Sequence, residues 1–334
     1  MLPHIKDATA RAFDVYRESG AKERVEQDGY TRVDPFLVAL NAQVTVLLRP
    51  LEKLLGAFIR DERSGILINS ERPAGLIHMT CAHELGHYFM GHSSTGDESL
   101  DYGSTASRQE IEADWFSYQL MVPRRLLAAN MRRRQWTTHT VRHPVVLYQL
   151  ALRLGISYSA TIWSLVRHQL ISRTDATSLL QVRPAEIKKD ILESHDIDLH
   201  KDVWLIEEGD RNCVLEPRIG DQLVVRLKRH ASAGYLWSID ELVSEGFHVR
   251  PIAVSPDPHR DADPIFGSEG AAEFLVLHEA PKADVAALIA MKETRPWENE
   301  EPASRFETKA QFEAISPGLT SIAKRKLLEG SLDA

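Results

Sequence analysis

The chain has 334 residues, enough for one large or two ordinary domains, each with its own core. Hydrophobic content of 43% and charged content of 26% fit a globular protein and exclude a disordered or fibrous one. A formal net charge of -8 excludes a uniformly basic nucleic-acid binder and leaves room only for local basic patches.

The opening stretch MLPHIKDATARAFDVYRESG carries charges and no continuous apolar core, so it reads as neither a secretory signal nor a membrane anchor. No later run approaches the roughly 18 apolar residues of a membrane span. The two cysteines, Cys81 and Cys213, give no disulfide framework. These features lead us to expect a cytoplasmic protein with no membrane partner.

Residues 35–55 begin with helical spacing and pass into a β-branched run, and AFIR and GILIN then predict two short strands around Asp61–Ser64. After the breakers Arg72-Pro73-Ala74-Gly75, the stripe Ile77, Cys81, Leu85, Tyr88 and Phe89 predicts a helix over 76–90 lying against a small sheet. Residues 93–107 form a polar loop, and a second helix is predicted from about Arg108 to Pro123. From Arg124 to Thr174 there are nine arginines and no aspartate or glutamate, in sequence that still reads as helical. Residues 185–202 read as a charged connector. Past it the period becomes two in GDQLVVRLKR, GYLWSI and AEFLVLHEA, with ADVAALIAMKE strand-like but less regular.

The fold class is therefore α+β. Residues 1–195 form a first domain with a helical arginine-rich subdomain over 124–190, residues 200–315 a β-rich second domain, and 316–334 a tail or helix.

The stretch TCAHELGHYFMGH, residues 80–92, carries the chemistry. Residues four apart on a helix project from one face, so His83 and His87 can offer two imidazole nitrogens to one ion. Glu84 is rotated by about 100° from His83 and so flanks an ion instead of ligating it, placed to move a proton from water to a leaving amine. Gly86, lacking a side chain, would let a substrate or another backbone lie close to the helix. Cys81 reads as a small core residue and His92, five past His87, as a helix-end residue.

A catalytic zinc takes three protein ligands, and the third is sought in QEIEADWF. Glu110 and Asp114 are four apart and share a face, so Glu110 is the favoured ligand and Asp114 a hydrogen-bond acceptor for a ligand histidine's second nitrogen. Glu112 is the alternative ligand, and the two cannot both ligate from a regular helix because they point about 200° apart. A capping box from Ser107 to Glu110 is the purely structural reading of Glu110. Tyr118, His139, His143 and Tyr148 are candidate oxyanion donors with no spacing to choose among them.

AGLIHMTCAHELGHYFMGH followed by EIEADWFSYQLMVP resembles the ImmA/IrrE family of bacterial metallopeptidases, over about residues 30–175. The resemblance implies a zincin-like, gluzincin-type peptidase domain holding one Zn2+ per chain on His83, His87 and a glutamate of EIEAD, with Glu84 as general base. It also implies a helix-turn-helix transcriptional repressor as substrate, cut in a stress or mobile-element response.

The arginine-rich stretch has three readings: a DNA-binding face on LALRLGISYSATIWSLV, a surface for an acidic substrate or for the acidic C-terminal half of the same chain, or a plain solvated face. Residues 240–334 carry 18 acidic against 10 basic residues, which motivates the intramolecular contact.

In the second domain, Gly234, Tyr235 and Trp237, then Gly267 and Gly270, then Arg295, Pro296 and Trp297 resemble, in order, the three loops of chagasin-type cysteine-peptidase inhibitors. The resemblance implies an immunoglobulin-like β-sandwich over about 200–310. His230-Ala231-Ser232-Ala233 stands where that family has N-P-T-T, which argues for a recognition or regulatory role over inhibition. Two functions follow: a zinc endopeptidase with a β-sandwich that selects substrate or controls access, or a non-catalytic binding protein acting through the sandwich and the arginine patch.

Overall fold

A computed structural model describes residues 2–94, 107–192, 198, 200–230, 233–241, 243–244, 246–252, 270–278, 280–297 and 301–332. The predicted position Gly267 lies outside them, as does most of the polar loop. The chain forms two compact units, one of residues 1–132, 136–184 and 314–334, the other of 133–135 and 185–313.

The first unit opens with α1 (Pro3–Glu18), α2 (Ala21–Glu26) and α3 (Pro35–Asn41). Ala8, Ala12, Val15 and Tyr16 are buried on one stripe of α1, and the Asp34 carboxylate caps α3 by accepting from the Phe36 and Leu37 amides. Strands β1 (Thr45–Arg49), β2 (Gly56–Ile59) and β3 (Gly65–Asn69) follow. β2 and β3 form the expected antiparallel hairpin, and β3 runs parallel to β1.

Two long helices, α4 (Ala74–Met90) and α5 (Arg108–Met121), then pack on each other. The helical region continues as α6 (Arg124–Arg133), α7 (Pro144–Leu154), α8 (Tyr158–Arg167), α9 (Arg173–Leu179) and α10 (Pro184–Leu192). Part of the expected connector is thus helix α10, on which Ile187, Ile191 and Leu192 are buried at helical spacing. No single helix among the described residues is long and apolar enough to cross a membrane. The apolar pair α7 and α8 is bent by 94°.

The second unit contains β4 (Val203–Ile206), β5 (Val214–Leu215), β6 (Gln222–Arg229), β7 (Leu236–Ile239), β8 (Phe247–Pro251), β9 (Gly270–His278), β10 (Ala286–Thr294) and β11 (Ser304–Gln311). Among the described residues these form two four-stranded sheets, ordered β5-β11-β10-β7 and β4-β6-β9-β8. The Phe247 and Phe312 rings pack 6.3 Å apart.

The chain ends in β12 (Gly318–Leu319) and α11 (Ser321–Leu332). Residues 316–334, expected to be a tail or helix, include the helix α11 and belong to the first unit. β12 pairs antiparallel with β1, Leu47 opposite Leu319, and completes the sheet β12-β1-β3-β2. Its backbone groups satisfy an edge of β1 that would otherwise lie open.

Candidate metal centre

Helix α4 is buried on every side from Ile77 to His87, so it is a central helix and not the one-sided stripe its sequence suggests. Its polar residues must therefore find partners inside the protein. His83 and His87 share a face, with their Nε2 atoms 3.1 Å apart. Glu110 enters from α5, one carboxylate oxygen 3.1 Å from His83 Nε2 and the other 3.6 Å from His87 Nε2. Donor atoms of these three residues all lie within 4.8 Å of one another.

Two glycines make room for this arrangement. A Cβ on Gly86 would stand 2.8 Å from the Ala113 Cα, so the absent side chain serves the close crossing of α4 and α5. A Cβ on Gly56 would stand 2.9 Å from Glu84 Oε1, so this glycine of β2 leaves space for the fully buried Glu84 carboxylate. Gly56 reads in sequence only as punctuation, with no signal that it faces the site.

Hydrogen bonding to Glu110 is shared between its N-terminal position and the histidines. Ser107 Oγ caps α5 by accepting from the Glu110 amide at 3.3 Å, as the structural reading expects, while the Glu110 side chain turns to the two imidazoles. The His83 and His87 hydrogen bonds hold its carboxyl far below the usual carboxylate range, which favours the ionised form. Burial pushes the His87 pKa down, which favours the neutral ring that can donate a lone pair.

A second set of contacts lies behind the triad. Helix α4 ends at Gly91 in the left-handed conformation, and the His92 amide bonds back to the His87 carbonyl at 2.9 Å. This turn folds His92 over the last helical turn, where its Nδ1 lies 3.0 Å from His87 Nδ1 and its Nε2 3.0 Å from Glu112 Oε2. Arg108 Nε donates to the other Glu112 oxygen at 2.7 Å. Arg60 fastens the same helix end, donating to the carbonyls of Tyr88 and His92.

The structure thus places Glu112, the alternative ligand, on His92 and outside the cluster of His83, His87 and Glu110. His92, read as a helix-end residue, contacts a member of that cluster; the Gly91-His92 pair is the sequence signal for the fold-back. Asp114 was expected to accept from a ligand histidine. Its Oδ2 instead accepts from Arg167 of α8 at 2.7 Å, and the same guanidinium stacks 3.7 Å from the Tyr118 ring centre. Burial raises the Asp114 pKa, opposed by Arg167. Tyr118 and Tyr148 are both buried, while His139 and His143 flank the short turn before α7.

The nine arginines do not form one surface. Arg153 is buried and donates to the Gln149 backbone and side chain, Arg134 is buried on Asp210, and Arg167 holds Asp114.

In the second unit, the first and third predicted loops meet. Arg295 donates to the Ala233 carbonyl at 3.0 Å and stacks 4.5 Å from the Tyr235 ring centre, and a Cβ on Gly234 would meet the Trp297 ring at 2.6 Å. Trp297 is 69% exposed beside Pro296. Trp237 is instead a core residue of β7, its indole donating to the Lys228 carbonyl at 2.6 Å. Gly270 opens β9, opposite Arg229.

No curated protein matches the chain. Among solved structures, the cysteine protease inhibitor EhICP2 from Entamoeba histolytica is similar at 17% identity and a TM-score of 0.27, over 34% of this chain and 98% of that one. Amebosin is similar at 21% identity and a TM-score of 0.26, over the same shares. Residues 39–163, the segment that carries His83, Glu84, His87 and Glu110, match the family model of the IrrE N-terminal-like domain, Peptidase_M78, and are thereby similar to a metallopeptidase domain.

Proposed function

We propose that the protein is a zinc-dependent endopeptidase that hydrolyses a peptide bond in a protein substrate, with one ion per chain. The observation that carries this reading is the convergence of His83, His87 and Glu110 donor atoms within 4.8 Å, beside the buried Glu84 carboxylate on the same helix. The donor set fits zinc: two imidazole nitrogens and one carboxylate oxygen, the number of protein ligands that a catalytic site uses. When bound, zinc supplies Lewis acidity toward the scissile carbonyl and the attacking water.

The chain's own residues supply the rest. Glu84, next to His83 and set against Gly56, takes the proton of the attacking water and returns it to the leaving amine. Burial favours the neutral His87 ring and the imidazole hydrogen bonds favour an ionised Glu110, the forms in which each can ligate. Burial of α4 from Ile77 to His87 keeps water from the side of the site that this helix forms.

For the substrate we propose a helix-turn-helix repressor, cut in a stress or mobile-element response in the cytoplasm; the support is the sequence resemblance around HELGH and EIEAD. For the second unit we propose an immunoglobulin-like sandwich that recognises substrate or regulates access. Its support is the grouping of Gly234, Tyr235, Arg295 and the exposed Trp297 at one place, although His230 stands where the inhibitor family has asparagine.

Expressing the Glu84→Gln form in cells and identifying what co-purifies tests the substrate. A repressor retained by this form and cut by the wild type supports the reading. Retention of the same proteins with no cleavage by the wild type supports instead a binding protein.

A further inference from the structure

We infer that His92 and Glu112 are positioning residues: they form a relay that fixes the proton of His87 on Nδ1 and so presents its Nε2 lone pair to the ion. This rests on the zinc reading above and adds two residues to it. The geometry is a continuous line: Arg108 Nε donates to Glu112 Oε1 at 2.7 Å, Glu112 Oε2 lies 3.0 Å from His92 Nε2, and His92 Nδ1 lies 3.0 Å from His87 Nδ1. Both histidines are buried, so the proton positions are set by neighbours and not by water.

Two arrangements of protons have to be compared. In the first, His92 carries its proton on Nε2 and donates to the Glu112 carboxylate; its bare Nδ1 then accepts from His87 Nδ1–H. Every contact along the line from Glu112 to His87 is a hydrogen bond, and His87 Nε2, on the side of His83 and Glu110, is left with a lone pair to give to a bound ion. In the second, His92 carries its proton on Nδ1 and donates to His87. A bare His92 nitrogen then faces a carboxylate oxygen at 3.0 Å, and the His87 proton sits on Nε2 where a ligand lone pair is needed.

The carboxylate therefore selects the first arrangement. Arg108 donates to the other oxygen of that carboxylate and so holds it in place beside His92. The fold-back at Gly91 is what delivers His92 to this line, because the His92 amide returns to the His87 carbonyl. A ligand histidine whose second nitrogen is held by such a partner binds metal more tightly than one left free, by about 10–100-fold.

The test uses the full chain and zinc alone. Its affinity is measured by competition with a chromophoric chelator for the wild type, His92→Ala and Glu112→Gln, together with the ring-nitrogen NMR shifts that distinguish histidine tautomers. Glu112→Gln is nearly isosteric and guards against the folding loss that emptying the His92 site could cause. The relay predicts zinc binding weaker by about 10–100-fold in Glu112→Gln, and a zinc-bound wild type with His87 protonated on Nδ1 and His92 on Nε2. Zinc affinity unchanged within about twofold in a folded Glu112→Gln, or His92 protonated on Nδ1, would overturn the relay while leaving the metal site intact. A wild type that binds no zinc overturns the metal reading itself, and the relay with it.

Discussion

The Cα of Ala113 lies 2.8 Å from where a Cβ on Gly86 would stand, so α4 and α5 cross at a point with no space for any side chain. This crossing brings Glu110, three residues before Ala113, up to His83 and His87. A valine at position 86 would push the helices apart where both are buried, and overpacking of this kind costs about 1–3 kcal/mol. Gly86→Val is expected to lower the denaturant midpoint and to weaken zinc binding together. Chemical unfolding and chelator competition on the same sample check this. A destabilised variant with wild-type zinc affinity would uncouple the crossing from the site.

Glu110 is the member of the cluster that comes from outside α4, and it supplies the only carboxylate among the three. Glu110→Ala is expected to lose zinc affinity by more than the roughly 10–100-fold typical of a group that acts through a ligand. Metal content after gel filtration reads this directly. Asp114→Asn is expected to retain zinc, because that carboxylate is engaged by Arg167.

The C-terminal residues are part of the first unit. β12 pairs with the edge of β1, and α11 follows it directly. Ending the chain after Glu313 removes this pairing and opens a strand edge, at about 1 kcal/mol for each ladder hydrogen bond lost. Thermal unfolding of the shortened chain is expected to begin earlier than in the full chain. An unchanged transition would mean that the pairing contributes nothing.

Two tyrosines give the protein an alkaline limit. Burial pushes the Tyr16 hydroxyl up to about 12, aided by the Glu26 and Glu23 charges, and burial alone pushes Tyr158 to about 12. Their unfolded value is about 10, so the folded state favours the protonated form of each. That contribution is present in full below about pH 10 and is lost as pH rises toward 12. Absorbance titration at the tyrosinate band is expected to show Tyr16 and Tyr158 among the late-titrating groups, with one such group lost in Tyr16→Phe.

Much of the first unit was legible because its signals are local. The hairpin of β2 and β3, the extents of α4 and α5, and the shared face of His83 and His87 all follow from spacing and breakers. What stayed hidden depends on partners far along the chain. Arg167 takes Asp114 from 53 residues away, and β12 reaches β1 from more than 250 residues away, distances at which sequence periodicity carries no information. His92 lies at the helix end, as its spacing suggests, but its contact with His87 stayed hidden because Gly91 ends the helix and a new geometry begins. In the second unit the β character was clear from alternation. β11 also alternates, with Phe306, Thr308 and Ala310 buried, but its charged residues Arg305, Glu307 and Lys309 masked the pattern.

Glu84 is the proton carrier of the proposed zinc peptidase. The most direct measurement compares wild type and Glu84→Gln, each with its zinc content determined, for cleavage of a protein substrate recovered by the Glu84→Gln form. The account predicts stoichiometric zinc in both and hydrolysis slowed by about 10²–10⁴-fold or more in the variant, with wild-type cleavage abolished by chelation and restored by zinc. Wild-type protein without stoichiometric zinc, or cleavage that survives both Glu84→Gln and chelation, would contradict it.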